Sequence, residues 1–335
     1  MRPKRVTMDD VARRLNLSTC TVSKILTRSF EGCTYTPKTI RRVESMARRL
    51  GYRPNLHARS LRTQKSRLIG LLLPTAQIQF FGALTESIEM AMRSAGYQIM
   101  VTHSRENPAA ETQQARLLLD RGIDGLLWVP VARQVRLGSL GVSDTFPLVL
   151  LDSPGCSSQI PLVATDNHNA ARELAVRLKQ FGHRTVAVLS ATGADRSIEE
   201  RLQGIRAVFL SHLHVLNAKN EIAAARKAVQ ALAKGPRTVT ALVTLSQPLS
   251  LGAISGLRDL GWEIPHRISF AGFDDFPLAS HWTPPLTVIR QDIETIARKA
   301  TNRLLSRIQE PSCSSVVERI PSILEWRQSV ARVEK

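Results

Sequence analysis

From Leu68 onward, short apolar runs alternate with amphipathic helical stretches, and this alternation sets the strongest limit on the fold. LIGLLLP precedes FFGALTESIEMAMRSAG, YQIMVTH precedes AAETQQARLLLDRG, and the runs GLLWVP and PLVLLD follow. Strands that are apolar on both faces are typical of parallel sheets covered by helices on both sides. The pattern therefore predicts a doubly wound α/β fold.

A second series of the same kind begins near Leu162. Its strand-type runs are LVATD, TVAVLS, TALVTL and ISFAGFDD, with helical stretches between them. A chain of 335 residues also exceeds the length that one ordinary hydrophobic core supports. Two wound halves leave a crevice at the carboxyl ends of their strands, where such sheets bind small molecules. We therefore expect two α/β halves with a ligand site between them.

The positive charge of the chain is concentrated near its N-terminus. The formal net charge is +18, and residues 1–67 hold 17 Lys and Arg against 4 Asp and Glu. A local excess of this kind favours a polyanionic partner such as DNA, because each neutralised phosphate releases counterions. A solubilising run of surface charge is the alternative interpretation.

Three short helices are predicted within this basic segment. In TMDDVARRLNL the apolar residues recur with helical spacing, and LSTCTVSKIL fits a second helix. A third helix fits the stretch from TPKTI to Gly51. The hydroxyl residues placed to cap the three helix starts are Thr7, Ser18 and Thr36. Two helices around a tight turn, followed by a third, form a helix-turn-helix.

The second of these helices is the one predicted to contact DNA. In a helix-turn-helix its first residues meet base edges in the major groove, while Val22, Ile25 and Leu26 would anchor it to its neighbours. Small hydroxyls, a thiol and a Lys can contact thymine methyls, other base edges or phosphates. For Cys20, an inert half-buried thiol is an equally open alternative. The candidate DNA-contacting residues of this segment are Thr7, Ser18, Thr19, Cys20, Ser23 and Lys24.

The runs VTMDDVARRLNLSTCTVSKIL and TPKTIRRVESMARRLGYRPNLHARSLRT closely resemble the DNA-binding region of the LacI/GalR family of bacterial repressors. The resemblance implies a helix-turn-helix domain over residues 1–53, here called the head, and a hinge over 54–66. In that family a hinge leucine wedges into the minor groove and kinks the duplex. The matching hinge residues are Asn55, Ala58 and Leu61. An ordinary basic linker is the alternative.

Two residues of the head depart from the family pattern. Asn16 stands where the family usually has Gly, and Lys24 stands where it usually has Arg. Lys cannot form the two-pronged contact with guanine that Arg forms, so the base preference at this position is open.

Residues 67–335 resemble the core of the same family, which is a periplasmic-binding-protein-like pair of α/β subdomains joined by three crossovers. The resemblance implies an N-subdomain of about 67–162 and 292–320. It implies a C-subdomain of about 163–291 and 321–335. Relatives carry a longer loop and a strand where this chain looks shortened, between Leu213 and Glu221.

Two motifs of the core imply effector contacts through this resemblance. The motif E-R-L-x-G supplies Arg201, and G-F-D-D supplies Asp274. A carboxylate accepts from several hydroxyls and a guanidinium donates a fixed fork. Asp152, at the end of the run LLD, is a weaker third candidate. A helix cap or an interdomain ion pair is the alternative role for each of the three.

Several expected effector residues are altered. The chain reads Ile78-Gln79-Phe80-Phe81 where the family often has N-P-F-F, and Ser246-Gln247 where it often has Asn-Asp. A site without that Asn and Asp suits a smaller or less polar ligand, or none. Phe80, Phe81 and Trp282 offer stacking surfaces, with a place in the hydrophobic core as the alternative. Phe81, Ser246 and Gln247 complete the candidate effector-binding residues.

Other function classes find little support in the sequence. Motifs of nucleotide-binding loops, serine hydrolases and zinc proteases are absent, so we expect neither an enzyme nor a cofactor. The scattered cysteines favour reduced thiols in a cytoplasmic protein without a metal site. We also expect neither a signal peptide nor a membrane span. The cysteines are Cys20, Cys33, Cys156 and Cys313.

These observations predict a sequence-specific transcriptional regulator, most simply a repressor. It would bind a pseudo-palindromic operator as a homodimer, because each chain carries one helix-turn-helix. A heptad tail for tetramer formation is not seen after Trp326. The predicted effector is a small metabolite, a sugar or sugar derivative, bound between the subdomains. An architectural DNA-binding protein and a solute-binding protein are the alternatives, and the sequence does not say whether the effector induces or corepresses.

Overall fold

The computed structural model of the chain divides into two units, Met1–Ser66 and Arg67–Lys335. The first is helical, and the second, here called the core, is α/β. The residues that the structure describes are 6–28, 30, 34–52, 65–135, 137–143, 145–157, 159–193, 196–234, 238–310 and 316–333.

The head contains the three predicted helices, α1 (Met8–Leu15), α2 (Thr19–Leu26) and α3 (Pro37–Arg49). All three predicted caps are confirmed. The Thr7 hydroxyl accepts from the backbone N–H of Asp10, whose side chain accepts from the Thr7 N–H in return. The hydroxyls of Ser18 and Thr36 accept in the same way from the third residue of their helices.

Apolar side chains from all three helices meet in one small core. Its buried members are Val11, Ala12, Leu15, Val22, Ile25, Val43 and Ala47. The turn between α1 and α2 explains one departure from the family pattern. Asn16 has a φ of 53°, in the left-handed region, which Gly adopts freely and which Asn tolerates better than most residues.

The first lobe of the core is built on a six-stranded sheet in the order β11-β5-β4-β3-β1-β2. All its strand pairs are parallel, as predicted. Its strands are β1 (Leu68–Leu73), β2 (Gln98–His103), β3 (Gly125–Trp128), β4 (Leu148–Leu151), β5 (Leu162–Thr165) and β11 (Val317–Ile320). Its helices are α4 (Gln79–Ser94), α5 (Pro108–Asp120) and α11 (Ile293–Gln309), with a 3-10 turn at Leu137–Leu140.

The second lobe has a six-stranded sheet in the order β12-β10-β9-β8-β6-β7. Its pairs are parallel except β10 with β12. Its strands are β6 (Thr185–Ala191), β7 (Leu213–Ala218), β8 (Val239–Thr244), β9 (Ser269–Phe273), β10 (Thr287–Arg290) and β12 (Ile323–Glu325). Its helices are α6 (Asn167–Gln180), α7 (Arg196–Phe209), α8 (Ile222–Val229), α9 (Gln247–Asp259) and α10 (Pro277–His281), with 3-10 turns at Leu210–His212 and Gln230–Lys234.

The chain passes between the lobes after β5, between β10 and α11, and between β11 and β12, which agrees with three crossovers. The sequence analysis was wrong about two strands. It placed LVATD in the second half, but β5 pairs with β4 and β11 in the first lobe. It also gave no strand between Leu213 and Glu221, where β7 lies along β6; that this stretch is shorter than in relatives stays a prediction. The residue limits given for the two subdomains otherwise stay a prediction.

The glycine of E-R-L-x-G has a packing role. A Cβ on Gly204 would lie 2.2 Å from the His168 carbonyl oxygen and 2.9 Å from the Ala171 Cβ. Helices α6 and α7 therefore approach each other closely at this residue. The glycine therefore allows α6 and α7 to pack side by side in the second lobe.

Candidate DNA-contacting helix and interlobe cavity

Helix α2 carries four of the candidate DNA-contacting residues of the head. Thr19 and Cys20 are exposed, whereas Ser23 and Lys24 are half-buried. Val22 and Ile25 are buried and Leu26 is partly buried, which confirms the predicted anchoring face. The side chains of α2 that are most open to a partner are therefore those at its N-terminal end.

Thr7 and Ser18 already use their hydroxyls within the head. The Thr7 hydroxyl donates to Oδ2 of Asp10 at 2.7 Å, and the Ser18 hydroxyl lies 2.9 Å from that of Thr21. Both are exposed, so capping and a DNA contact are compatible. Their contact with DNA stays a prediction.

Helix α3 adds a basic surface. The sequence analysis included its cationic residues in the net charge but did not predict that they form one surface. Lys38, Arg41, Arg42 and Ser45 line one shallow depression on this helix. Because three of the four residues are cationic, the depression suits an anionic group such as a phosphate. The predicted hinge residues Asn55, Ala58 and Leu61 lie outside the described residues.

A cavity of about 210 Å³ lies between the two lobes of the core. It is found beyond the carboxyl ends of β1, β3, β4 and β6, at the crevice that the sequence predicted. First-lobe residues lining it are Pro74, Ile78, Phe81, Glu106, Val129, Pro130, Val131, Asp152 and Ser153. Second-lobe residues lining it are Ala191, Thr192, Gly193, Ile198 and Asn220.

Of the six candidate effector residues, Asp152 and Phe81 line this cavity. Phe81 packs edge-to-face on Phe80, with ring centroids 5.3 Å apart. Phe80 belongs to the first-lobe core and Trp282 packs against the second-lobe core, so both occupy the core positions that were the alternative to stacking. Sequence reasoning missed Glu106, Thr192 and Asn220. Each lies shortly after a strand end, which is the signal that could have found them.

Asp152 and Asp274 occupy equivalent places in the two lobes. Each directly follows a parallel strand, β4 and β9 respectively, and each has a left-handed φ, 58° and 69°. Asp and Asn adopt this region at lower cost than other side-chain-bearing residues. Asp274, however, does not line the larger cavity. It borders a space of about 50 Å³ together with Gln79, Phe80 and Gln291.

Arg201 is buried and bonded within the second lobe. Its Nε donates to Oδ1 of Asn167 and its Nη1 to the Leu245 carbonyl oxygen, both at 2.8 Å. The guanidinium lies 4.4 Å from the centre of the Phe273 ring. Its Nη1 is 3.9 Å from Oδ2 of Asp274. The two motif residues are thus neighbours, but Arg201 is not among the residues that line the larger cavity.

Asp274 is also tied to the first lobe through one glutamine. Nε2 of Gln291 donates to Oδ1 of Asp274 at 2.6 Å. The Thr165 hydroxyl, at the end of β5, makes a short hydrogen bond to Oε1 of Gln291. This chain of buried bonds joins the lobes beside two of the crossovers. A change in the angle between the lobes would therefore alter the hydrogen bond that Asp274 accepts.

Ser246 and Gln247 act at the edge of the cleft without lining the cavity. The Ser246 hydroxyl donates to Oδ1 of Asn220 at 2.6 Å, and Asn220 lines the cavity. Oε1 of Gln247 accepts from the backbone N–H of Gln79 in the other lobe at 3.1 Å. Ser246 thus orients a lining residue, and Gln247 joins the two lobes.

A buried glutamate holds one wall of the cavity. Glu111, on α5, is 1% exposed. Its Oε1 accepts from Nε1 of Trp128 at 2.9 Å and from the Val131 N–H at 2.6 Å, and its Oε2 accepts from the Ala132 N–H at 2.9 Å. Three donors on one carboxylate fix the segment that follows β3, which includes Val129 and Val131.

Charged residues also join the lobes at the start of α7. Glu200 accepts two hydrogen bonds of 2.8 Å from the guanidinium of Arg319, on β11. Glu199 pairs with Arg133 at 3.3 Å. The Ser197 hydroxyl donates to the Asp152 carbonyl oxygen at 2.7 Å. The N-terminal part of α7 therefore makes several contacts with the first lobe.

Within the described residues, no three His, Cys, Asp or Glu side chains are grouped to hold a metal ion. In the same part of the chain, no helix has the length and apolar character needed to cross a membrane.

The chain carries a helix-turn-helix and a two-lobed α/β core with a cavity between its lobes. These two features define a class of protein that combines a DNA-binding head with a ligand-binding core. Residues 66–328 match the family described as periplasmic binding proteins and sugar binding domain of LacI family, and the chain belongs to that family. This confirms the family and the fold class that the sequence predicted.

Named relatives cover nearly the whole chain. Catabolite control protein A of Priestia megaterium is 27% identical over 332 residues, which are 97% of this chain and 99% of the relative. The HTH-type transcriptional repressor PurR of Vibrio vulnificus is 28% identical over 337 residues, 98% of this chain and 99% of the relative. These names agree with the prediction that the chain is not an enzyme.

The fold also matches a solved structure over both units. The lac repressor dimer bound to operator and the anti-inducer ONPF superposes with a TM-score of 0.85 at 23% identity. The match covers 98% of this chain and 100% of that chain. The described parts of the two units therefore share the folds of the corresponding parts of that repressor.

Proposed function

We propose that this chain is a sequence-specific DNA-binding transcriptional repressor whose operator affinity changes when a small metabolite binds between the lobes of the core. One observation carries the proposal: a helix-turn-helix with an exposed N-terminal turn on α2 is present on the same chain as a clamp with an interlobe cavity. The repressor names of the relatives and the operator in the matching structure support it.

DNA recognition is assigned to the head. Thr19 and Cys20 would meet base edges, while Ser23, Lys24 and the basic depression on α3 would contact phosphates or nearby bases. The hinge would add Leu61 as a wedge in the minor groove, with Asn55 and Ala58 beside it. Two heads of a homodimer would read a pseudo-palindromic operator. We place the protein in the cytoplasm, where its DNA target lies.

Effector binding is assigned to the interlobe cavity. Asp152 and Phe81 would contact the ligand directly, and Ser246 would act through Asn220. Arg201, Asp274 and Gln247 would respond to the angle between the lobes, because each is bonded in or beside a network that joins them. Ligand binding at such a junction shifts the balance between lobe arrangements. The resulting coupling is typically about 1–3 kcal/mol, or roughly 5- to 150-fold in operator affinity.

Selection from random DNA with the full-length protein tests the DNA-binding part. We expect the unaltered protein to select an enriched inverted repeat. The Thr19→Ala variant should select the same repeat with a weaker base preference in one part of each half-site. Thr112→Ala, in the core helix α5, serves as the matched control and should leave the selected sequence unchanged. Recovery of no inverted repeat would contradict the proposal.

A second candidate, a regulator that needs no effector, is favoured by one observation. Gln247 accepts directly from the backbone N–H of Gln79 in the other lobe, so protein groups themselves hold the lobes together at this edge of the cleft. Operator affinity measured with and without a metabolite panel separates the two candidates, since a repressor of this second kind would show the same affinity throughout.

A further inference from the structure

We propose that the outward face of α3 binds the phosphate backbone of a second DNA duplex while α2 occupies the operator. The protein would thereby hold two DNA segments together. This inference rests on the proposed function, because it needs an operator-bound head, and it extends the phosphate contact given above to the depression on α3.

Helical spacing defines this face. Residues three and four positions apart lie on the same side of a helix, and five cations and one serine recur in this way along about 16 Å of the α3 axis. All six are exposed, and the one carboxylate of α3, Glu44, lies outside the row. The residues of this face, here called the basic stripe, are Lys38, Arg41, Arg42, Ser45, Arg48 and Arg49.

The basic stripe points away from the other two helices of the head. Val43 and Ala47, on the opposite side of α3, are buried in the small core that α1 and α2 share. Helix α2 also turns Val22 and Ile25 to that core and leaves Thr19 exposed. A duplex that receives the first turn of α2 therefore lies beyond α2 as seen from α3, and the stripe faces away from it.

The cations of the stripe have no anionic partner among the described residues. Arg13, on α1, pairs with Asp9 and Asp10, whereas none of the described carboxylates pairs with a cation of the stripe. Like charges three and four positions apart, such as Lys38 with Arg41 and Arg42, repel each other. An anionic partner would relieve this repulsion and would not have to break an ion pair first.

The chemistry of the stripe suits a phosphate backbone. Four of its five cations are Arg, whose planar guanidinium forms two parallel bonds to a phosphate. Lys38, Arg41, Arg42 and Ser45 surround one depression, and Arg48 and Arg49 continue the row about one helical turn further along. A row of cations matches the repeating charge of a DNA strand and carries no base preference.

A second duplex can approach without strong repulsion from the first. Two packed helices, each about 10 Å across, separate the exposed turn of α2 from the stripe. This distance exceeds the Debye length, which is about 8 Å at physiological ionic strength. A protein held on an operator also has neighbouring DNA segments at high effective concentration.

A capture experiment with the full-length protein tests the proposal. The selected operator, cut to its minimal length and carrying biotin, is used in excess so that both heads of each dimer are occupied. The complexes are isolated on streptavidin, and a fluorescent random-sequence duplex is added. We expect the complexes to retain this second duplex, with a log–log salt slope of about −0.9 for each phosphate contact made by the stripe.

A variant that removes four charges locates the contact. Gln has nearly the helix propensity of Arg, so α3 should still form when Arg41, Arg42, Arg48 and Arg49 are all changed to Gln. Capture of the second duplex should fall at least about tenfold, with a shallower salt slope, while operator affinity should stay within about threefold. The matched control removes four exposed cations from the second lobe and should leave capture unchanged. It carries Arg172→Gln, Arg184→Gln, Arg206→Gln and Lys227→Gln.

Three results would overturn this inference. The unaltered complex could capture no second duplex, or the α3 variant and its control could capture it equally well. A loss of operator affinity as large as the loss of capture would place the stripe on the operator itself. Failure of the proposed function is seen separately, as selection that returns no operator. Bridging of two random duplexes that is lost in the α3 variant would still support the stripe in that case.

Discussion

The backbone N–H of Gln79 donates a hydrogen bond to Oε1 of Gln247 at 3.1 Å, from the first lobe to the second. These two residues stand where the family often has Pro and Asp. A proline at position 79 has no N–H to donate, so the bond exists only because this position departs from the pattern. Two substitutions that look unrelated in the sequence thus meet in the fold, 168 positions apart.

Gln79→Pro should loosen the lobes without damaging α4. Gln79 is the first residue of that helix, where proline is favoured, and Ile78 has the extended conformation that precedes proline readily. The change removes the bond of 3.1 Å and a longer one of 3.5 Å from Nε2 of Gln247 to Oε1 of Gln79. Loss of the shorter bond alone, about 0.5–1.5 kcal/mol, should shift the balance between lobe arrangements by roughly two- to tenfold. Small-angle scattering of the full-length protein measures this shift.

Gln247→Ala supplies the control for that experiment. It removes the same bond from the other side, so the double variant should show little more than either single change. Full additivity of the two effects would mean that Gln79 and Gln247 act independently.

Glu111→Gln should lower the free energy of unfolding by about 1–3 kcal/mol. The carboxylate accepts from three donors, and an amide nitrogen would face at least one of them with a donor of its own. Urea unfolding followed by circular dichroism measures the loss. Glu86→Gln, an exposed glutamate on α4, should change stability by less than about 0.5 kcal/mol. Equal effects of the two changes would show that the Glu111 bonds contribute nothing.

Acid should destabilise the core through His183. Burial lowers the pKa of His183 below its usual 6.5, against a smaller opposing effect of a backbone hydrogen bond with Ala331. In the unfolded chain this histidine takes up its proton at higher pH than in the folded one. Its contribution is therefore fully present above pH 6.5 and is lost as the pH falls through the lowered folded value.

Unfolding measurements between pH 7.5 and pH 5 check this expectation. His183→Asn keeps a polar atom near Oγ1 of Thr240, to which Nδ1 of the histidine lies at 2.8 Å. The variant should show a shallower loss of stability with acid than the unaltered protein. The same loss in both proteins would assign the pH dependence to other groups.

The features that the sequence predicted correctly are those that depend on local residue pattern. The caps Thr7, Ser18 and Thr36 and the buried face of α2 follow from residue type and helical spacing, and the structure confirms them. Parallel sheets follow from strands that are apolar on both faces. These features need no knowledge of distant parts of the chain.

Pairings between distant segments could not be read in this way. β5 lies in the first lobe between β4 and β11, and β11 comes about 150 positions later in the chain. An apolar strand does not reveal which strands lie beside it. The division of Arg201 and Asp152 between a buried network and the cavity lining also depends on tertiary packing. The sequence offers both only as charged residues of motifs near a predicted strand or helix, which does not say which of them faces the cavity.

Leu61→Ala should weaken binding to the selected operator far more than binding to random DNA. The change removes an apolar wedge and the kink it makes, but leaves the phosphate contacts of the head in place. Gel-shift titrations with both DNAs, at one salt concentration, measure the ratio. Leu117→Ala, an exposed leucine on α5 of the core, is the matched control. An equal loss on both DNAs would indicate that the leucine does not insert.

Asp274→Asn distinguishes a ligand contact from a coupling residue. Asn tolerates the φ of 69° and can still accept from Gln291, but it loses the charge that faces Arg201. Since Asp274 does not line the larger cavity, the ligand dissociation constant should stay within about threefold, less than 1.4 kcal/mol. The ligand-induced change in operator affinity should shrink, because the network joining the lobes is altered. Asp152→Asn should do the opposite and weaken ligand binding directly. A large loss of ligand affinity in Asp274→Asn would instead make Asp274 a direct contact, as the resemblance to the family implies.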